Sequence, residues 1–129
     1  MIKILIADDS KIARKKMTES LILSGVEHKV LAEVENGVEA FEKFQTLKPN
    51  LIITDLEMPQ MGGLELIEKI RNIDTDVSFI VISSLLNQQV RQTLKKDRFV
   101  DFVKKPIDNK ILVSFLLKLE HKIMQEKKE

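Results

Sequence analysis

Apolar and polar positions along this chain fall into two alternating patterns. Five short runs are rich in β-branched and other apolar residues: 3–7 (Lys-Ile-Leu-Ile-Ala), 29–34, 51–54 (Leu-Ile-Ile-Thr), 79–82 (Phe-Ile-Val-Ile) and 100–104. Runs this short and continuous suit strands buried on both faces of a parallel sheet. Between them the apolar positions recur at helical spacing. Ala13, Met17, Ser20, Leu21 and Ser24 mark one stripe of a helix over 11–24, with Ser10 placed as N-cap and Gly25 ending it. Asn36-Gly37 reads as a turn, and Ala40, Phe41, Phe44 and Leu47 carry a second helix closed by Pro49. Met61-Gly62-Gly63 reads as a flexible loop ahead of a third helix on Leu66, Ile67, Ile70 and Ile73. A weaker, polar helix is expected over 88–96. Asp108 caps the last one, whose stripe is Ile111, Leu112, Phe115, Leu116, Leu119 and Ile123, with Val113 and Leu117 as extra apolar members. Five strands alternating with five helices predict an α/β fold, a doubly wound five-stranded parallel sheet covered on both faces. The general rule makes its crossovers right-handed.

Composition narrows the class. A chain of 129 residues is one domain by length and long enough to bury a real core. Its net charge of +1 supplies no bulk field for nucleic acid or an acidic membrane, so neither is expected as a direct partner. The absence of cysteine excludes disulfides and thiolate metal sites. The apolar N-terminal run is too short for a signal peptide, and no segment approaches the roughly 18 apolar residues of a membrane span. A soluble, cytoplasmic single domain over residues 1–124 is expected, with 125–129 a charged tail that frays. Lys11, Arg14, Lys15 and Lys16 make the first helix basic; without interleaved aromatics they read as a solvated face. His28 and His121 are isolated from each other and from the acids, which argues against a histidine metal site.

The candidate chemistry sits at strand ends. Asp8-Asp9 follows the first strand, Asp55 the third, Ser83-Ser84 the fourth and Lys105 the fifth. In an open parallel sheet these ends share one edge, where ligands bind. Carboxylates gathered there repel one another unless a cation intervenes, and Mg²⁺ with oxygen ligands resolves that repulsion. A lysine and a serine hydroxyl suit a tetrahedral anion such as a phosphoryl group, and Asp is a competent phosphoryl-accepting nucleophile. Taken singly, each residue has a plainer reading. Asp8-Asp9 can stabilise a helix N-terminus, Asp55 can be a solvated strand end, Lys105 a surface lysine, and Ser83 a loop-start hydroxyl. The joint pattern favours function for Asp9, Asp55 and Lys105.

Asp8-Asp9-Ser10, Asp55 within Asp-Leu-Glu-Met-Pro followed by Gly62-Gly63, Ser83, and Lys105-Pro106 occur in the order of a known motif set. On these residues the chain resembles the receiver domain of two-component response regulators, in the CheY-like single-domain form, along essentially its whole length. The resemblance implies a flavodoxin-like sheet of order 2-1-3-4-5 and a phosphorylation switch. By position, Asp55 matches the phosphoacceptor, fed by a histidine kinase or phosphotransfer protein. Asp9 and Asp55 match direct Mg²⁺ ligands, Asp8 a ligand through water, and Glu57 a ligand through its backbone carbonyl. Lys105 and Ser83 match the groups that bind the phosphoryl oxygens. Phe102 takes the place of the aromatic switch residue, although it reads equally as core. Output is implied through helix 4, strand 5 and helix 5, toward a downstream protein target, and this face admits a dimer. The chain would catalyse only its own phosphorylation and dephosphorylation and would not be an enzyme otherwise.

Departures from the pattern are Ser84 where alanine is usual, Arg98-Phe99 where Gly-Ala is common, and a Phe102 that lacks a tyrosine hydroxyl. Glu57 and Leu85 occupy the positions that tune phosphoryl lifetime in this family. Two other readings stay open: a phosphate-independent pseudo-receiver that acts as an interaction module, and an aspartate-nucleophile phosphatase of the haloacid dehalogenase type. The second prefers Asp-x-Asp after one strand, where this chain has adjacent acids. A dinucleotide binder is disfavoured because no Gly-x-Gly-x-x-Gly follows the first strand.

Overall fold

The computed structural model describes residues 1–127, in which five strands and five helices alternate strictly. Strands β1 (Ile2–Ala7), β2 (His28–Val34), β3 (Leu51–Thr54), β4 (Ser78–Ser83) and β5 (Val100–Lys104) are followed in turn by helices α1 (Lys11–Leu23), α2 (Gly37–Leu47), α3 (Gly63–Arg71), α4 (Gln88–Lys95) and α5 (Asn109–Lys127). The sheet order is β2-β1-β3-β4-β5, with every neighbouring pair parallel. The expected order is therefore the observed one.

The continuous apolar runs have a simple cause. Successive strand residues point to opposite faces, and here both faces are covered. Leu5, Ala7, Ile52, Phe79 and Val81 pack under α2, α3 and α4, against Ala40, Phe44, Leu66, Ile70 and Leu94. Ile4, Ile6, Ile53, Ile80 and Ile82 pack under α1 and α5, against Met17, Leu21, Leu112, Leu116 and Leu119. Each fully buried Leu, Ile or Phe contributes roughly 1.5–3 kcal/mol, and the central strand β3 is buried at all four positions. That strand carries the acceptor candidate on a rigid support.

Helix ends largely follow local chemistry. The Ser10 hydroxyl accepts the Ala13 amide at 3.1 Å. Asn36 is more than a turn residue: its side chain accepts the Glu39 amide at 2.9 Å and starts α2 at Gly37. Lys48 closes α2 in the left-handed region at φ 51°, directly before Pro49. Two expectations need correction. Ile73 lies beyond α3, which stops at Arg71, and is 58% exposed; the Ile73 and Asp74 amides both turn back onto the Ile70 carbonyl and close the helix there. Ile111 is exposed as well; α5 meets the sheet along Leu112, Leu116 and Leu119, with Phe115 and Ile123 partly buried beside them, so the expected stripe loses Ile111 alone. The last helix, α5, runs through Lys127, and Lys128 and Glu129 of the charged tail lie outside the described residues.

At the opposite edge of the sheet from the acids, Arg71 ties three segments together. Its Nε donates to Asp97 Oδ2 at 2.6 Å and its Nη2 to the Val77 carbonyl at 2.6 Å, while the guanidinium lies 5.0 Å from the centre of the Phe79 ring. Partial burial pushes the Asp97 pKa up, but the hydrogen bonds from Arg71 and the Phe99 amide outweigh this and hold it below the usual value. A carboxylate depressed in the folded state adds stability above its unfolded pKa, and loses it as pH falls through the folded one. Asp97→Asn is therefore expected to cost on the order of 1 kcal/mol at pH 7, kept small by partial solvation. In urea denaturation that deficit shrinks toward zero as pH is lowered below about 4, the ordinary Asp range.

Candidate functional site

The sheet register delivers the site. Ala7 pairs with Thr54, Thr54 with Val81, and Ser83 with Lys104. Ladder-type bonds continue one residue further: the Asp8 amide donates to the Val34 carbonyl at 3.0 Å, Asp55 to Ala7 at 3.0 Å, and Lys105 to Ser83 at 2.9 Å. Backbone pairing thus fixes Asp8, Asp55 and Lys105 at one edge.

There the Lys105 ammonium bridges two acids, with Nζ 3.0 Å from Asp8 Oδ2 and 2.7 Å from Asp55 Oδ2. The remaining oxygens are held by amides. Asp8 Oδ1 accepts from Ser10 at 2.9 Å, and Asp55 Oδ1 accepts from Leu56 at 2.6 Å and Glu57 at 3.2 Å. Both carboxylates are only 11% exposed as side chains. Partial burial pulls the Lys105 pKa down, yet its hydrogen bonds to Asp55 and Asp8 outweigh this and hold it above the ordinary lysine value. A lysine so raised stays cationic throughout the physiological range. Its stabilisation is complete below the unfolded pKa and is lost only as strongly alkaline pH passes the folded one.

Asp9 stands apart from this bridge. It is exposed and shares an open recess of about 500 Å³ with Asp55, Leu56, Glu57 and Met58. Among the described residues no three acidic, His or Cys side chains converge tightly enough to hold a metal ion unaided. Asp9, Asp55 and Glu57 nonetheless line this one recess, and residues of this kind offer the oxygen donors that Mg²⁺ takes, with water filling its other positions. The residues fit the ion. His28 and His121 bond to the Val26 carbonyl and to Gln125 respectively, away from the acids.

Ser83 ends β4 beside β3, is 1% exposed, and accepts the Leu85 amide on Oγ at 3.2 Å, so its own proton remains free to donate. Phe102 is half-buried in β5 and packs against the core cluster under α2–α4, confirming a core role. It also faces the β4–α4 connection: the Arg91 guanidinium lies 5.8 Å from its ring centre and donates from Nε to the Leu86 carbonyl at 3.0 Å. Ser84 and Leu85 are exposed at the same edge. A groove of about 660 Å³ runs from Asp55 and Lys105 along α1, past Ile12 and Lys16, to Ile107.

Two features escaped the sequence reading. The segment 61–63 is not a flexible loop. Met61 is 6% exposed, and the Gly63 amide donates to the Leu56 carbonyl at 2.9 Å. A Cβ on Gly63 would collide with the Asp55 carbonyl. Gly63→Ala is expected to cost about 1–3 kcal/mol, the range for overpacking, and to shift the Asp55 amide resonance, as thermal melts and amide spectra would show. Arg14, read as part of a solvated basic face, is instead turned inward with 11% of its side chain exposed. Its Nη1 donates to the Asp8 carbonyl at 2.7 Å. Lys11, Lys15 and Lys16 are exposed as expected.

The family model for the response regulator receiver domain matches residues 4–117. Chemotaxis protein CheY of Thermotoga maritima is 33% identical over 117 residues, covering 91% of this chain and 96% of that protein. The uncharacterized transcriptional regulatory protein YesN of Bacillus subtilis is 33% identical over 116 residues, covering 90% of this chain but only 32% of that longer protein. Among solved structures, the receiver domain of AraT, a response regulator from Geobacillus stearothermophilus, superposes with a TM-score of 0.83 at 30% identity, covering 98% of each chain. With five parallel strands in the order 2-1-3-4-5 and a match over most of its length, the chain belongs to the response regulator receiver domain family, in the CheY-like form.

Proposed function

We propose that this domain is a phosphorylation switch in which Asp55 accepts a phosphoryl group from the phosphohistidine of a histidine kinase or a phosphotransfer protein. The observation that carries the reading is the Lys105 ammonium, brought from β5 to within 2.7 Å of the Asp55 carboxylate and 3.0 Å of Asp8. A carboxylate held by two amides on one oxygen, with a fixed cation at the other, is poised for attack on phosphorus. An Asp55 oxygen forms the new P–O bond as the P–N bond to the donor imidazole breaks, and the imidazole nitrogen keeps the electron pair and takes a proton. As the transfer proceeds, the Lys105 ammonium shifts its hydrogen bonds from the carboxylates to a phosphoryl oxygen. Such transfers depend on positioning and charge neutralisation more than on acid–base chemistry.

Asp9, Asp55 and the Glu57 carbonyl would hold Mg²⁺, with Asp8 acting through water. When bound, the ion supplies Lewis-acid neutralisation of the charge on the transferring group. Ser83, whose proton is free, donates to another phosphoryl oxygen after a shift of the β4–α4 connection. That shift draws on Leu86, Arg91 and Phe102, which are already in contact, and so alters the surface of α4, β5 and α5 that a downstream protein reads. Hydrolysis of the resulting acyl phosphate resets the switch, and no other turnover is assigned to the domain.

Calorimetric titration with beryllium fluoride, a phosphoryl mimic, tests this reading. One mimic is expected to bind per chain, with Mg²⁺ required. Absence of binding at millimolar mimic and Mg²⁺ would favour a phosphate-independent interaction module.

A further inference from the structure

We infer that Arg14 is a positioning residue for the Mg²⁺ site, acting through the peptide that joins Asp8 to Asp9; this rests on the proposed function. The Asp8 carbonyl that accepts Arg14 Nη1 at 2.7 Å belongs to that peptide. Because a peptide is planar, fixing its oxygen sets ψ of Asp8 and φ of Asp9 together, and with them the directions in which the two carboxylates leave the chain. The preceding peptide, Ala7–Asp8, is held as well, since the Asp8 amide donates to the Val34 carbonyl at 3.0 Å, so Asp8 is fixed on both sides of its Cα.

Arg14 is itself anchored at the end of β2. Its Nε, shielded from solvent, faces Glu33 at 3.4 Å without hydrogen-bond alignment, and its Nη2 lies 4.0 Å from Glu35. The guanidinium thus spans α1, the β1–α1 connection and the β2 end, a task suited to a rigid planar fork and not to a lysine point charge. Asp9 needs such support because it is exposed, unlike Asp8 and Asp55, whose carboxylates are held by amides and Lys105.

Charge and positioning make opposite predictions. As a charge alone, a guanidinium beside a cation site repels Mg²⁺, so deleting it would tighten binding. As a positioning group, its loss loosens the ligands and weakens binding, with roughly tenfold or more being the usual cost of removing a group that orients metal ligands. Mg²⁺ affinity measured by calorimetry on wild type, Arg14→Met and Arg14→Lys separates them, with melting temperature recorded in parallel. Arg14→Met is expected to bind Mg²⁺ about tenfold more weakly. Arg14→Lys, which keeps the charge and most of the packing and so decides the matter if the Met variant does not fold, is expected to bind about three- to tenfold more weakly. Unchanged or tighter binding by Arg14→Met, or wild-type affinity in Arg14→Lys, overturns the inference, even if melting temperature falls. If wild type itself binds no Mg²⁺, the proposed function is overturned and this inference with it.

Discussion

Asp55→Asn is expected to abolish phosphoryl transfer from a phosphohistidine donor, lowering the rate at least about 10³-fold, because the amide is no longer a nucleophile. The shape of the side chain is nearly unchanged, and its carbonyl oxygen can still accept the Leu56 and Glu57 amides that hold Asp55 Oδ1. The fold should therefore survive, and the loss should be chemical. Radiolabel retained on the protein after exposure to the labelled donor is the readout. Retention at the wild-type level by the Asn variant would place the acceptor elsewhere.

The second large effect concerns Lys105, and it has two signs. Lys105→Met keeps the aliphatic stem but removes the ammonium that bridges Asp8 Oδ2 and Asp55 Oδ2. Phosphorylation is expected to slow by about 10²–10³-fold, the cost of deleting one preorganised group that stabilises charge in a transition state. Mg²⁺ affinity is expected to rise, since the two acids lose a competing cation and repel each other without it. A rate measured against Mg²⁺ concentration separates the two effects: the slower rate persists at saturating ion, while half-saturation moves to lower concentration. A variant that recovers the wild-type rate at high Mg²⁺ would show that Lys105 serves only to neutralise the acids.

Much of this architecture was legible in the sequence because β1, β3 and β4 are buried on both faces. Ile4, Ile6, Ile52, Ile53, Phe79 and Ile80 leave no polar alternation to confuse with an exposed strand. The site was legible for a related reason. Asp8, Asp55 and Lys105 each follow a strand immediately, and parallel pairing brings all such positions to one edge. What was not legible depends on side-chain direction. Nothing in a run of basic residues reveals that Arg14 turns inward while Lys11, Lys15 and Lys16 stay in solvent; the distinction needs Glu33 and Glu35 on a neighbouring strand. Gly62 and Gly63 suggested mobility, whereas they are there because the chain passes under the Asp55–Leu56 segment too closely for a Cβ. Ile73 and Ile111 continued an apolar period past the point where the helix ended or faced the sheet. The different settings of Asp8 and Asp9, one bridged by Lys105 and the other exposed on the recess, follow from adjacent residues pointing apart.

Intact-protein mass spectrometry after incubation with acetyl phosphate, followed by peptide mapping, tests the central claim most directly. The account predicts one phosphoryl group per chain, carried on the peptide containing Asp55, formed with Mg²⁺ and absent when the ion is chelated. A phosphoryl group on any other residue, or on Asp55 at the same rate without Mg²⁺, would contradict it.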